Sequence, residues 1–163
     1  LAKSEVSDTR SIEKSAMPIE KFLSWRSARQ KSELVYGIRL KNEVCYSAHA
    51  RITMMEAGDY PVANLSCVLS LTEENKIAFA RIAVGSVENV AKRWFKLESA
   101  LVGMSFDIPK IKTFSKSFLN VFVGRDYGGT PGWYRVEIIP KLIEMALFDV
   151  SSQILRTKES RCK

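Results

Sequence analysis

The chain has 163 residues, the length of one ordinary domain, and 46% of them are apolar and 26% charged, as in globular proteins that bury a core. No apolar run approaches the roughly 20 residues that a transmembrane helix needs, so we expect no membrane partner. The formal net charge of +7 is compatible with an acidic partner, but no nucleic-acid recognition motif accompanies the scattered basic residues. Nucleic acid is therefore not the partner that the sequence favours.

Residues that perform catalysis or bind metals in other proteins are sparse in this chain. Cys45, Cys67 and Cys162 are an odd number without close spacing, which indicates reduced thiols in the cytoplasm rather than disulfides or a metal site. His49 is the only histidine, which excludes a metal site built from several histidines. Any histidine-dependent catalytic dyad or triad would have to use His49 as its base. We predict that His49 is a hydrogen-bonded structural residue and that the chain contains no catalytic or metal-binding residue.

The first predicted elements are a short helix and a pair of strands. Residues 1–15 are polar and lack apolar periodicity, so we expect this segment to be frayed or peripheral. Pro18 can begin a helix, whose apolar side consists of Ile19, Phe22 and Leu23. Apolar residues alternate over 33–40, and a turn at 41–43 leads to a return strand over 44–52.

The central stretch is predicted to be strand, turn, strand and helix. Residues 63–71 alternate between apolar and polar, residues 72–76 form a polar turn of hairpin length, and residues 77–84 return antiparallel to the first strand. Ser86 is placed to cap a helix, and Gly103 stands where a left-handed residue ends one. One helical face would contain Val87, Val90, Ala91, Trp94, Leu97 and Leu101.

A further helix is predicted after Gly103. Ser105 or Asp107 can cap it, and Pro109 suits its first turn. Its core-facing side would consist of Ile108, Ile111, Phe114, Phe118, Val121 and Phe122. The glycine-rich segment 124–132 that follows lacks the spacing of a phosphate-binding loop and does not follow a predicted strand. We therefore predict that this segment is a plain connection.

The last helical pattern covers residues 136–154 and contains Pro140. An interior proline costs about 3 kcal/mol or forces a kink, so we predict a break near Ile139 that divides the helix into two pieces. Beyond Arg156 the chain is charged, and we expect this tail to fray.

Several of these segments match a known pattern in order and spacing. Residues 80–87 read A-R-I-A-V-G-S-V and lead to a helix that ends with A-L-V-G at 100–103. Residues 59–63 open the preceding strand, Pro18 starts a segment like P-L-x-x-F-F, and the pair Tyr134 and Arg135 precedes the last helix. Together these segments resemble the C-terminal domain of the FAD-binding (flavoprotein) subunit of molybdenum hydroxylases, the medium-subunit family of xanthine dehydrogenase and carbon monoxide dehydrogenase.

The resemblance implies FAD as the cofactor and two residues on the flavin side, Val35 and Arg51. Val35 matches an apolar family position near the flavin ring, with sheet packing as its alternative role. The family's lysine near the flavin falls at Ala50, and Arg51 offers a cation beside it. Family members hold FAD mainly through glycine-rich loops of an N-terminal domain, and no such loop precedes Pro18. FAD is therefore expected in the full subunit, without tight binding by this chain alone.

We predict an α+β fold: a small antiparallel β-sheet of three to four strands with helices packed on one face. Residues 1–41 would be the tail end of an FAD-binding domain, residues 42–156 the C-terminal α+β domain, and residues 157–163 a frayed basic tail. The resemblance implies a non-catalytic part of a multi-subunit oxidoreductase. The chain would help to cover the flavin and would dock the iron–sulfur and molybdopterin subunits in electron transfer. The alternative is a stand-alone basic α+β module that binds nucleic acid or an acidic protein.

Overall fold

A computed structural model describes residues 2–8, 11–28, 34–39, 45–54 and 60–161. The chain divides into two compact units, Leu1–Glu43 and Val44–Lys163, and each unit is described by itself. The predicted turn at 41–43 lies outside the described residues. No helix in the described ranges is both long enough and apolar enough to cross a membrane.

The first unit contains three strands and one helix. Strands β1 (Ala2–Asp8), β2 (Ser11–Met17) and β3 (Leu34–Ile38) form an antiparallel sheet in the order β2-β1-β3, and helix α1 covers Ile19–Ala28. Helix α1 and strand β3 were predicted, whereas β1 and β2 show that the expectation of a frayed segment over 1–15 was wrong. The sequences of β1 and β2 are largely polar, so backbone pairing forms these strands without the alternation by which strands are recognised.

The sheet of the second unit is antiparallel and has four strands. These are β4 (Tyr46–Ile52), β5 (Ala63–Leu71), β6 (Ile77–Gly85) and the short β7 (Lys92–Arg93), in the order β4-β5-β6-β7. The predicted alternation over 63–71 is confirmed, because the odd-numbered residues from Ala63 to Leu69 are buried. Asn75, with a φ of 60°, forms part of the predicted turn between β5 and β6.

The helices of the second unit pack on one face of this sheet. They are α2 (Phe95–Leu101), α3 (Ile108–Ser115), α4 (Gly132–Glu137) and α5 (Ile139–Arg161), and a 3-10 helix over Lys116–Val121 follows α3. Helix α5 contacts β4 and β5, α2 contacts β6, and α3 packs against α5. Fully buried side chains of this core include Leu65, Val84, Trp94, Leu97, Leu101, Ile111, Ile139, Leu142, Ile143 and Val150. The predicted α+β fold is confirmed.

The helix predicted from Ser86 to Leu101 is much shorter in the structure. Ser86 has a left-handed φ of 64°, Lys92–Arg93 pairs with β6, and α2 begins only at Phe95. The prediction was wrong for the first half of this segment. The apolar residues Val87 and Trp94 are buried before and after the short strand β7, so their spacing did not distinguish this conformation from a helix.

The other helix boundaries follow the predicted end signals closely. Asp107 caps α3, since its Oδ1 accepts a hydrogen bond from the Lys110 backbone N–H at 3.0 Å. Gly103 follows α2 with a φ of 83°, as a left-handed end residue should. The break before Pro140 is confirmed, because α4 ends at Glu137 and α5 begins at Ile139. Helix α5 runs to Arg161, and the expectation that the chain frays beyond Arg156 stays a prediction.

Candidate functional site

The second unit has a sheet face that none of its helices covers, and we call this the open face. Strand side chains alternate between two faces, and those opposite the core form the open face: Ser47, His49, Arg51, Asn64, Ser66, Val68, Phe79, Arg81 and Ala83. Most of these residues are small or polar. The open face therefore offers a shallow, hydrogen-bonding surface with two cations.

Arg51 lies in a row of residues that crosses three strands at one end of the open face. It pairs in register with Asn64, which in turn pairs with Gly85. The Asn64 Nδ2 donates to Ser86 Oγ at 3.2 Å, and a Cβ on Gly85 would lie 2.5 Å from Asn64 Oδ1. A larger residue at position 85 would therefore displace the Asn64 amide. The Arg51 side chain is exposed, and no carboxylate in the described part of the chain pairs with it.

Ala50 and His49, the neighbours of Arg51, face different directions. Ala50 is buried on the helix side of the sheet, so a lysine at that position would carry its charge into the core. His49 is exposed, and its Nδ1 lies 2.8 Å from Ser66 Oγ across the strand pair. The prediction that His49 is hydrogen-bonded is confirmed. Arg51 is thus the cation of β4 on the open face.

Val35, the other predicted flavin-side residue, lies in β3 of the first unit, and 44% of its surface is exposed. Val35 and Arg51 belong to different compact units, and each is described within its own unit. The flavin-side role of both residues stays a prediction.

Arg135, in α4, is a buried cation whose role the sequence analysis did not identify. Its guanidinium donates to the backbone carbonyls of Val62, Ser86 and Tyr127, which belong to three separate segments. Burial lowers the pKa of Arg135 below its usual value, and the positive charge of Arg125 lowers it further. Arg135 therefore joins the start of β5, the turn after β6 and the glycine-rich segment.

The glycine-rich segment 124–132 connects the 3-10 helix to α4 through a tight turn. Gly128 and Gly129 both have positive φ angles, 59° and 75°, between the bridged residues Tyr127 and Thr130. Two successive positive φ angles are the feature that favours glycine in such turns. Gly124 has a φ of 73° and approaches the Gly132 backbone so closely that a Cβ would lie 2.2 Å from its carbonyl oxygen.

Cys67 and Cys45 have opposite environments. Cys67 is buried in β5, and this burial raises the pKa of its thiol to about 11. Cys45 is exposed, and Cys162 lies outside the described residues. The ranges that the structure describes contain no group of three or more histidine, cysteine, aspartate or glutamate side chains arranged to hold a metal ion.

Comparison with known proteins relates this arrangement to a flavoprotein family. The sequence profile of the CO dehydrogenase flavoprotein C-terminal domain matches residues 48–150. No curated protein sequence matches the chain. Similar solved structures include quinoline 2-oxidoreductase from Pseudomonas putida 86, with a TM-score of 0.69 and 14% identity. Reconstituted CO dehydrogenase from Oligotropha carboxidovorans has a TM-score of 0.66 and 17% identity.

Each of these two alignments covers 93% of the present chain and 53% of the similar chain, so the present chain spans about half the length of its structural relatives. At these identities the solved structures establish the fold, whereas the profile establishes the family. The profile covers more than half of the chain, and it includes β5, β6, Arg135 with its carbonyl partners and the first half of α5. The resemblance inferred from the sequence is confirmed, and the chain belongs to the CO dehydrogenase flavoprotein C-terminal domain family.

Proposed function

We propose that the chain forms the C-terminal part of an FAD-binding subunit in a molybdenum hydroxylase complex. Membership of the flavoprotein C-terminal domain family is the observation that carries this proposal. A further similar structure is described as a Cu,Mo-CO dehydrogenase, with a TM-score of 0.63 and 16% identity. In this proposal, residues 1–41 are the tail end of the FAD-binding domain and residues 42–156 are the accessory α+β domain.

The open face is the surface that we propose covers one side of the flavin. Its residues can accommodate a flat ring system, because the side chains in its centre, such as Ser66 and Ala83, are small. Arg51 lies at one end of the face and has the donors to meet the polar edge of a flavin. Val35, an exposed residue of the first unit, is proposed separately as an apolar flavin-side residue. The residues present therefore fit a flavin as its cover.

Bound FAD would supply the acceptance and release of electrons, and the residues of this chain would set its surroundings. The Arg51 guanidinium is a positively charged group, so it would favour negative charge on the neighbouring ring edge. His49 is hydrogen-bonded to Ser66, and Arg51 is the cation of β4 on the open face. The role proposed for Arg51 is electrostatic and positional.

Docking of the iron–sulfur and molybdopterin subunits is part of the same proposal. Exposed apolar side chains could anchor such a contact, since subunit interfaces bury apolar residues at their centres. Helix α5 carries Phe148 and Leu155, which are 57% and 59% exposed, and Trp133 in α4 is 66% exposed. A phosphate-binding module would instead depend on charges and would lose affinity steeply as salt is added.

The role of Arg51 can be tested in the flavin-containing complex. We expect R51Q to shift the flavin reduction potential to a more negative value, because the cation that favours the reduced, anionic ring would be absent. The matched control is R81Q, which removes the other arginine of the open face, four strand positions from the Arg51 row. Equal shifts for both variants, or none for R51Q, would contradict the proposed position of Arg51.

The isolated chain provides a second test. Titration of the 163-residue chain with FAD, followed by flavin fluorescence, is expected to show no tight binding, because the chain offers a cover without the glycine-rich loops that the family uses to hold the cofactor. Stoichiometric, tight binding would place the main FAD site within this chain and would contradict the proposed division of roles.

A further inference from the structure

A second polar surface of the molecule surrounds Arg125, and the flavin proposal does not use it. Two adjoining cavities of about 490 and 330 Å³ share Arg125, Glu88, Asn89 and Ala91 in their walls. We call this surface the Arg125 groove. Tyr60 and Tyr127 line the second cavity, and their side chains are 77% and 58% exposed. A smaller cavity of about 90 Å³ extends from Arg125 to the buried Arg135.

The two arginines place two positive charges on this surface, and the carboxylate of Asp126 offsets part of the charge of Arg135. Within the described residues, no carboxylate pairs with Arg125, whose guanidinium stacks over the Tyr127 ring at 4.8 Å from its centroid. The Nε atoms of Arg125 and Arg135 are both buried, and neither has a hydrogen-bond partner. Buried hydrogen-bond donors normally have an acceptor, because a buried donor without one lowers the stability of the folded chain.

The acidic groups near the groove are already engaged by other donors. Glu88 Oε1 accepts from Lys92 Nζ at 3.0 Å and from the Val123 backbone N–H at 3.1 Å. Asp126 Oδ1 accepts from the Gly132 backbone N–H at 2.6 Å. The positive charge of Arg125 also lowers the pKa of Arg135, after the larger effect of burial, so the two guanidinium groups disfavour each other. An anion between them would relieve this repulsion and supply the missing acceptors.

We propose that the Arg125 groove binds the phosphate of a nucleoside diphosphate. A phosphate oxygen suits the guanidinium because charge-assisted hydrogen bonds of this type are short and strong. The exposed rings of Tyr60 and Tyr127 beside the arginine provide surfaces on which a nucleobase can stack. This inference does not rest on the proposed function, since the groove would bind its ligand with or without a flavin on the open face.

Nuclear magnetic resonance of the 15N-labelled chain tests the proposal with two probes, inorganic phosphate and ADP. We expect both probes to shift the Arg125 Nε–H resonance, and ADP to bind more tightly than phosphate. The substitution R125Q should weaken the binding of both probes by about tenfold or more. The matched control is R81Q, because Arg81 also stacks on a ring, that of Phe79, at 5.0 Å but lies outside the groove.

Three results would overturn the proposal. The first is that neither probe shifts the Arg125 resonance, which decides the matter even where R125Q does not fold. The second is equal weakening by R125Q and R81Q, which indicates diffuse attraction to the basic surface. The third concerns Glu56 and Asp59, which lie outside the described residues. Phosphate binding that is seen only in E56Q/D59N would mean that carboxylates of the chain itself are the partners of Arg125.

Equal affinity for phosphate and ADP would overturn the nucleotide part of the assignment, because the tyrosines would then contribute nothing. The variant Y60L isolates this contribution. It is expected to weaken ADP binding and to leave phosphate binding unchanged, whereas equal weakening of ADP and phosphate binding in Y60L would contradict stacking of the base on Tyr60.

Discussion

Replacement of Glu98 tests how the end of the sheet is held. Glu98, in α2, is buried, and its Oε1 accepts from the Ile82 backbone N–H at 2.8 Å and from Arg93 Nε at 2.7 Å. Its Oε2 accepts from a terminal nitrogen of Arg93 at 2.5 Å. The Glu98 carboxylate thus binds the β6 backbone at Ile82, next to the β6 residues that pair with the short strand β7. Glu98→Ala would leave the Ile82 N–H and the Arg93 guanidinium without this acceptor.

The expected loss follows from the burial of the pair. The Glu98 side chain is 7% exposed and that of Arg93 is 23% exposed, so water can replace little of the interaction. Removal of one partner of a buried ion pair costs about 3–5 kcal/mol, and the partial exposure of Arg93 favours the lower end, about 3 kcal/mol. For a chain of this size that corresponds to a fall in Tm of about 6–12 °C, measured by circular dichroism.

A matched control separates burial from ion pairing as such. Glu74 and Lys76 also form a short ion pair, at 2.7 Å, but their side chains are 73% and 48% exposed. Exposed pairs contribute about 0–1 kcal/mol, so E74A should change Tm by no more than about 2–4 °C. Glu98→Gln retains an acceptor for Ile82 and should lie between the two. A Tm for E98A within error of that for E74A would show that burial of the ion pair does not set the loss of stability.

Two further predictions concern Gly124 and Cys67. Gly124→Ala should destabilise the chain by more than Gly103→Ala, because a Cβ at Gly124 meets the Gly132 carbonyl whereas one at Gly103 meets nothing within 4 Å. Urea unfolding measures both, and the Gly103 variant should lose about 1 kcal/mol for its positive φ alone. At pH 8 a thiol reagent should modify Cys45 rapidly and Cys67 only on unfolding, since burial raises the pKa of Cys67 to about 11. The same pKa shift predicts a pH dependence of the free energy of unfolding. The contribution of Cys67 is retained below pH 9, the ordinary thiol pKa, and is lost as the pH rises towards 11, because the thiol loses its proton at a lower pH in the unfolded chain than in the folded one. Reaction of both thiols at one rate, or equal losses for the two glycine variants, would contradict these assignments.

The parts of the fold that the sequence predicted correctly are those with a strong apolar period. The alternation in β5 and the helical spacing in α5 each leave one way to bury the apolar side chains. Pro140 marked the break between α4 and α5 because its ring excludes a continuous helix, and Asp107 marked the start of α3. In these elements the local signal and the tertiary packing agree.

The segment from Ser86 to Trp94 was mispredicted because its conformation depends on distant partners. Pairing of Lys92–Arg93 with β6 and the contact of Arg93 with Glu98 favour an extended segment, and neither is visible in apolar spacing. The strands β1 and β2 were missed for a related reason, since backbone pairing forms them without apolar alternation.

The candidate site was predictable to a similar extent. Alternation in β4 is enough to place Arg51 on the open face and Ala50 in the core. The roles of Arg125 and Arg135 were not predictable, because they depend on carbonyl groups and rings that only the folded chain brings together. The pair Tyr134 and Arg135 was recognised from the family pattern, but the pattern does not state what the arginine contacts.

In the proposed function, this chain belongs to a subunit that works with FAD, iron–sulfur clusters and molybdenum. Purification of the chain under native conditions through an affinity tag, followed by measurement of the flavin, iron and molybdenum that accompany it, tests this directly. All three are expected, in constant proportion to the chain and at high salt as well as low. A chain that purifies without flavin and metals, or with nucleic acid that salt removes, would contradict the proposed function.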